Sequence, residues 1–251
     1  MINRKKIILI TGGSRGIGSE IAKTIANKER IIYINYYKNR TKAEQTASVI
    51  NKKGFSAKII QADVSNEKDV KMMINSIIKE SKYIDVLINN ATPTLSQKNF
   101  FNLSWKDFQK QLDVLVKGAF YCSNKASEVM KQQKSGHIVT LLSSCVFGLP
   151  PANLAHYVIA KYGLMGLCKS MAVELVRFGI RVNMVSPFIT VGTDLTAKLF
   201  PERLLEIIQQ QHPLKRLATI KDTAEIVNFL ISEKASYLNS VNIPITGGVV
   251  G

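Results

Sequence analysis

No stretch of about 18 uncharged apolar residues occurs in this 251-residue chain, so no membrane-spanning helix is expected. The apolar run IILI after MINRKK is too short for a signal-peptide core and lacks a small-residue cleavage site, so it reads as a strand. Only three cysteines are present, Cys122, Cys145 and Cys168. They are far apart, odd in number and without CxxC spacing, which argues against a disulfide framework and for reduced thiols in a cytoplasmic protein. The three histidines, His137, His156 and His212, have no partners at metal-ligand spacing, so no metal is assigned. Gly/Ser linkers, repeats and low-complexity tracts are also missing, so a single domain over residues 1–251 is expected.

Acidic residues are scarce: 18 Asp and Glu stand against 34 Lys and Arg, a net charge of +16. Such a balance can attract nucleic acid, acidic lipid, an acidic protein or a phosphorylated cofactor. The cations are spread along the chain, with no basic tail, basic–aromatic motif or zinc-finger spacing, so nucleic acid is not expected. A solvated lysine-rich surface is the plain reading. An acidic partner that delivers the substrate is the alternative.

Apolar runs at 6–11, 31–36, 57–62, 84–89, 137–142, 180–185 and 241–245 read as strands. Most are continuously apolar, as strands covered on both faces are. Amphipathic stretches separate them; in GSEIAKTIANK, Ile21, Ala22, Ile25 and Ala26 share one face. Strand–helix alternation from end to end predicts an α/β fold, a doubly wound parallel sheet of about seven strands in the Rossmann manner, with helices on both faces. Residues 188–211 break this rhythm and read as an insertion over the strand ends.

After the first strand comes TGGSRGIG, residues 11–18. Glycines at a strand-to-helix turn let the backbone approach a pyrophosphate, and the helix start offers free N–H groups to it. An NAD site usually places an acid at the end of the second strand, yet the sequence there is Ile34-Asn35-Tyr36-Tyr37-Lys38. Arg15 lies in the loop, and Lys38 and Arg40 follow the strand. A 2′-phosphate wants cations, so NADP(H) is the expected cofactor.

The stretch YVIAK places Tyr157 four residues before Lys161, side by side on a helix. The spacing alone is weak, because YCSNK repeats it at Tyr121 and Lys125. Context separates the two: YVIAK follows a strand that ends in Ser143 and Ser144, whereas YCSNK lies inside the preceding helix.

Together, TGGSRGIG (11–18), QADVS (61–65), NNA (89–91), the serine-bearing strand end (137–144), YVIAK (157–161), IRVNMVSP (180–187) and HPLKRLATIKDTAEIVNFL (212–230) resemble the short-chain dehydrogenase/reductase family over the whole chain. The likeness is greatest to the branch of 3-oxoacyl-[acyl-carrier-protein] reductases. It implies a catalytic serine, Tyr157 and Lys161. Tyr157 would supply a proton, Lys161 would lower the phenol pKa, and the serine would hold the substrate oxygen. The usual spacing to the tyrosine selects Ser144, whereas counting along the strand from Gly136 selects Ser143, which the harder-to-shift strand register favours. The resemblance also implies cofactor contacts from Gly12, Ser14, Arg15, Gly16, Ile17, Gly18, Asn35, Tyr36, Asp63, Val64, Asn89, Ala91, Tyr157, Lys161, Pro187, Ile189 and Thr193. It implies a dimer or tetramer through helices at 104–132 and 155–178, and a free or carrier-protein-bound acyl substrate.

Several positions depart from the family pattern. Thr92 replaces a glycine, Pro187-Phe188 replaces Pro-Gly, and Leu115 replaces an asparagine whose side chain supports a distortion of the helix. These departures point to a specialised pathway reductase rather than the housekeeping fatty-acid enzyme, with fatty-acid or polyketide-like biosynthesis as the setting that the resemblance implies. An alcohol dehydrogenase or enoyl reductase of the same fold, or a catalytically weak nucleotide-binding scaffold, is the alternative. The apolar residues Leu195, Leu199, Phe200, Leu204 and Leu205 fit a lid over a pocket and ordinary helix packing equally well.

Overall fold

The computed structural model describes residues 4–249. Seven strands form one sheet: β1 (Lys6–Ile10), β2 (Arg30–Tyr36), β3 (Ser56–Gln61), β4 (Val86–Asn89), β5 (Gly136–Leu141), β6 (Ile180–Pro187) and, last in the chain, β9 (Asn242–Ile245). Two further strands of two residues each, β7 (Thr190–Val191) and β8 (Ala218–Thr219), pair with one another at the insertion. The helices are α1 (Gly16–Ile25), α2 (Arg40–Asn51), α3 (Glu67–Ser81), α4 (Trp105–Leu112), α5 (Gly118–Gln133), α6 (Ala155–Leu175), α7 (Asp194–Leu199), α8 (Glu202–Gln211) and α9 (Ile220–Leu230).

The strand order is β3-β2-β1-β4-β5-β6-β9, with every neighbouring pair parallel. The chain winds outward from β1 to β3, then crosses back to β4 and winds the other way. The reversal lies between β1 and β4, and a crevice opens there beyond the strand ends.

Side-chain alternation explains why these segments are strands and why they are apolar throughout. Ile7 and Leu9 of β1 enter a core layer with α3, α5 and α6, while Ile8 and Ile10 enter the opposite layer with α1, α2 and α9. Both faces are buried, so nearly every strand position is apolar. Burial of one such side chain stabilises by about 1.5–3 kcal/mol, enough to hold short strands that have no hairpin partner.

Helix starts differ in a way that matters for the site. Asn39, Asn66 and Thr219 cap α2, α3 and α9 with their side chains, whereas Arg15 at the start of α1 makes no side-chain cap. The N–H groups of that first turn are therefore not taken up by a capping side chain. Between α4 and α5 the helix widens into a π turn, Asp113–Lys117, where the Gly118 N–H donates to the Asp113 carbonyl. The distortion thus forms with Leu115 at its centre, and needs no asparagine side chain there. Thr92 has no positive φ either, so replacing glycine leaves that backbone unstrained.

Candidate active site

The glycine loop is clamped from two sides. The Gly12 N–H donates to Asn35 Oδ1 at 3.1 Å and the Gly13 N–H to the Asn35 carbonyl at 2.9 Å. Asn35 Nδ2 in turn donates to the Ala62 carbonyl at 3.1 Å. Asn35 is buried and occupied on both ends of its amide, so it supports the loop from behind rather than facing a ligand. Tyr36 beside it is likewise buried, and its carbonyl accepts from the Ala62 N–H. Both were expected to contact a cofactor; the structure places their side chains in the buried layer behind the loop.

From the other side, Thr11 Oγ1 accepts the N–H groups of Asn90 (3.0 Å) and Ala91 (3.1 Å). Asn90 Nδ2 donates to the carbonyls of Thr11 and Gly12, each at 3.0 Å. Thr11 and Asn90 thus lock the ends of β1 and β4 together at the reversal. Both stand inside the motifs TGGSRGIG and NNA, but neither was singled out from the sequence. The packing demands glycine: a Cβ on Gly12 would sit 2.9 Å from Ala91 Cα, and one on Gly18 would sit 2.7 Å from the Gly12 carbonyl oxygen. Gly12 and Gly16 also have positive φ, 62° and 55°.

The remaining expected contacts ring this loop. The Ser14 carbonyl accepts from Thr46 Oγ1, and Ile17 packs on the core layer under α1. Asp63 Oδ1 is oriented by the N–H and hydroxyl of Ser65, at 2.9 and 2.7 Å. Val64 is buried against Gly118. Asn89 Nδ2 donates to Ser123 Oγ at 2.9 Å, while its Oδ1 is buried without a partner among the described residues. Pro187 closes β6 and half-buried Ile189 follows it. Thr193 caps α7 and faces the loop; a Cβ on Gly16 would lie 3.9 Å from it. Of the three cations expected near a 2′-phosphate, Arg15 is paired with Asp194 and Arg40 with Glu44, whereas exposed Lys38 lies 5.0 Å from the centre of the Tyr37 ring.

The second half of the site comes from β5 and α6. Tyr157 and Lys161 lie in the first two turns of α6, and both are buried. Lys161 Nζ donates to the Leu141 carbonyl at the end of β5 at 2.7 Å, and sits 5.5 Å from the centre of the Tyr157 ring. Ser143, just past β5, has its side chain close enough to Tyr157 to oppose the rise of the phenol's pKa. Its hydroxyl also accepts from the Cys145 N–H at 3.3 Å. Ser144 begins the short 3₁₀ turn Ser144–Val146 and makes no side-chain hydrogen bond among the described residues. Ser143, the serine that the strand register favours, is thus the one whose side chain acts on the phenol.

The electrostatics reverse one expectation. Burial dominates at Tyr157 and raises its pKa well above the ordinary phenol value, against the opposing effect of the Ser143 side chain. Lys161 does not lower it in this state; burial instead pulls the Lys161 ammonium itself down from 10.5 to about 8. The phenol stays protonated, and the amine beside it keeps its proton near neutral pH.

The look-alike pair is elsewhere. Tyr121 packs partly buried against the core and Lys125 pairs with Glu128 at 2.8 Å. His156 is a buried helical residue packed edge-on against Phe108. In the insertion, Leu195 and Leu199 pack on the core while Leu204 and Ile207 on α8 stay exposed, so its apolar residues divide between packing and surface.

The donor set fits a dinucleotide: a glycine cradle that a Cβ on Gly12 or Gly18 would fill, an uncapped helix start, and a buried Asn89 Oδ1 with no partner among the described residues at the crevice. A family model described as Enoyl-(Acyl carrier protein) reductase matches residues 12–250. The chain belongs to the short-chain dehydrogenase/reductase family. This short-chain dehydrogenase/reductase is 38% identical over 244 residues to the 3-oxoacyl-[acyl-carrier-protein] reductase FabG of Staphylococcus aureus (strain N315), covering 97% of this chain and 98% of that one. It is 32% identical over 247 residues to the 3-oxoacyl-[acyl-carrier-protein] reductase of Synechocystis sp., with coverages of 98% and 97%. Among solved structures, the 3-ketoacyl-(acyl-carrier-protein) reductase of Brucella melitensis complexed with NADH superposes with a TM-score of 0.88 at 27% identity, covering 98% of each chain. The gluconate 5-dehydrogenase of Burkholderia cenocepacia in complex with NADP and tartrate gives 0.90 at 25%, covering 98% of this chain and 95% of that one. The protein is an oxidoreductase of this family that uses a nicotinamide cofactor.

Proposed function

We propose that this short-chain dehydrogenase/reductase reduces the ketone of a 3-oxoacyl thioester, carried on an acidic acyl-carrier protein, with NADPH. The observation that carries the proposal is the grouping of Ser143, Tyr157 and Lys161 at the crevice of the sheet, in a chain whose curated relatives bear the name of that activity. A bound nicotinamide supplies the hydride. Ser143 holds the carbonyl oxygen of the substrate by a hydrogen bond and so fixes its orientation. Tyr157 holds the proton at Oη until negative charge develops on that oxygen, then gives it up. The phenol is protonated at neutral pH, as a donor must be, but its raised pKa makes it a weaker acid unless nearby positive charge offsets the burial. Lys161 places its positive charge beside the phenolate that this leaves behind.

NADPH is favoured by Arg15, Lys38 and Arg40 around the end of β2, and by the lack of an acid there. The net charge of +16 favours an acidic carrier. Exposed Phe120, Ile159, Tyr162, Val173 and Val176 on and just after α5 and α6 support self-association through those helices.

The test is NADPH oxidation with a 3-oxoacyl thioester, a free ketone and an enoyl thioester, for wild type and Tyr157→Phe. Consumption of the oxo substrate, lowered about 100-fold or more in the variant, is expected. Turnover of the enoyl thioester alone, or a rate indifferent to Tyr157→Phe, would overturn the proposal.

A further inference from the structure

Arg15 and Asp194 are 179 residues apart in sequence, yet they form an ion pair across the mouth of the crevice. One belongs to the glycine loop, the other opens α7 in the insertion. The neighbouring residue, Thr193, faces Gly16. The insertion therefore meets the loop at two adjacent points, and one of them is the guanidinium expected to receive a 2′-phosphate. The other cations nearby differ: Arg40 is held by Glu44 on its own helix, and Lys38 makes no ion pair among the described residues.

We infer that Asp194 is a specificity-determining residue for the cofactor, acting as an internal competitor of the 2′-phosphate for Arg15. The inference rests on the NADPH reading above. A phosphorylated cofactor must draw Arg15 from Asp194, and it must do so against the carboxylate's own repulsion. A cofactor without that phosphate has nothing to exchange with the guanidinium and leaves the pair intact. Asp194 thus weakens NADPH selectively and narrows the margin by which NADPH is preferred over NADH. Both side chains are more than half exposed, 53% and 59%, so the effect is modest. An exposed ion pair corresponds to about a two- to fivefold change in affinity.

The experiment measures dissociation constants of NADPH and NADH, by the fluorescence of the reduced nicotinamide, for wild type, Asp194→Asn, Arg15→Ala and the double variant. Asp194→Asn is expected to tighten NADPH by about two- to fivefold and to raise the NADPH/NADH preference by a similar factor. In the Arg15→Ala background the same substitution should change the preference less, because only the carboxylate's repulsion is then removed. An unchanged preference in Asp194→Asn, or an equal gain without Arg15, overturns the role of Asp194. If wild type binds the two cofactors equally, the NADPH reading itself fails and takes this inference with it. If wild type prefers NADPH but the preference ignores Asp194→Asn, only the inference fails.

Discussion

Lys161→Met should make the protein more stable while abolishing its activity. Lys161 is 4% exposed, and burial lowers its pKa from 10.5 to about 8. At about 1.4 kcal/mol per unit, this opposes folding by roughly 3 kcal/mol whenever the amine is charged in both states. The sign follows from proton counting. Between about pH 8 and 10.5 the unfolded chain binds the proton that the folded chain has lost, so stability rises with pH across that window. Below it, the penalty is present in full. Methionine carries no charge and removes it. The substitution also deprives the buried Leu141 carbonyl of its 2.7 Å donor, which costs about 1 kcal/mol. The net gain is about 2 kcal/mol at neutral pH, equivalent to roughly 4–8 °C in Tm for a chain of this size. Thermal and urea unfolding of both proteins, at about pH 7 and again near pH 10, reads the effect. The variant should lead at neutral pH, and its lead should shrink as pH rises. A variant that is less stable at neutral pH, or a lead that ignores pH, would refute the assignment of a buried, charge-penalised lysine.

Two further substitutions test neighbouring parts of the site. Ser143→Ala should lower kcat by about 100-fold or more, while Ser144→Ala should stay close to wild type; steady-state kinetics with the oxo substrate decides, and the reverse pattern would move the role to Ser144. Gly18→Ala places a Cβ 2.4 Å from Asn90 Nδ2 and 2.7 Å from the Gly12 carbonyl oxygen, so it should lower stability by about 1–3 kcal/mol and weaken cofactor binding. Gly166→Ala in α6 meets nothing within 4 Å and should raise stability by up to about 1 kcal/mol; melting curves of the two variants should move in opposite directions.

The seven sheet strands were legible because burial on both faces writes continuous apolar runs, and their ends fall within two residues of expectation. β7 and β8 were not, since two residues carry no period. Tyr157 and Lys161 could be separated from Tyr121 and Lys125 by the strand before them, which is local information. The direction of the Tyr157 shift could not, because burial depends on everything that packs around the phenol. The engagement of Asn35 with Gly12 and Ala62 was not legible, because it depends on how three separate segments meet. The same holds for Arg15, whose partner lies far along the chain. Leu115 shows a different gap: the helix distortion, which an asparagine side chain was expected to support, is adopted by the backbone without it.

The glycine loop, Asn90, Ser143 and Lys161 hang from strand ends or the helix beside them, whereas residues 188–217 lie outside the seven-stranded sheet. The reacting groups and the rim are therefore carried by different segments that meet at few points, the Arg15–Asp194 pair among them. A new rim could be grafted onto these strands to admit a different ketone while the proton donor keeps its place.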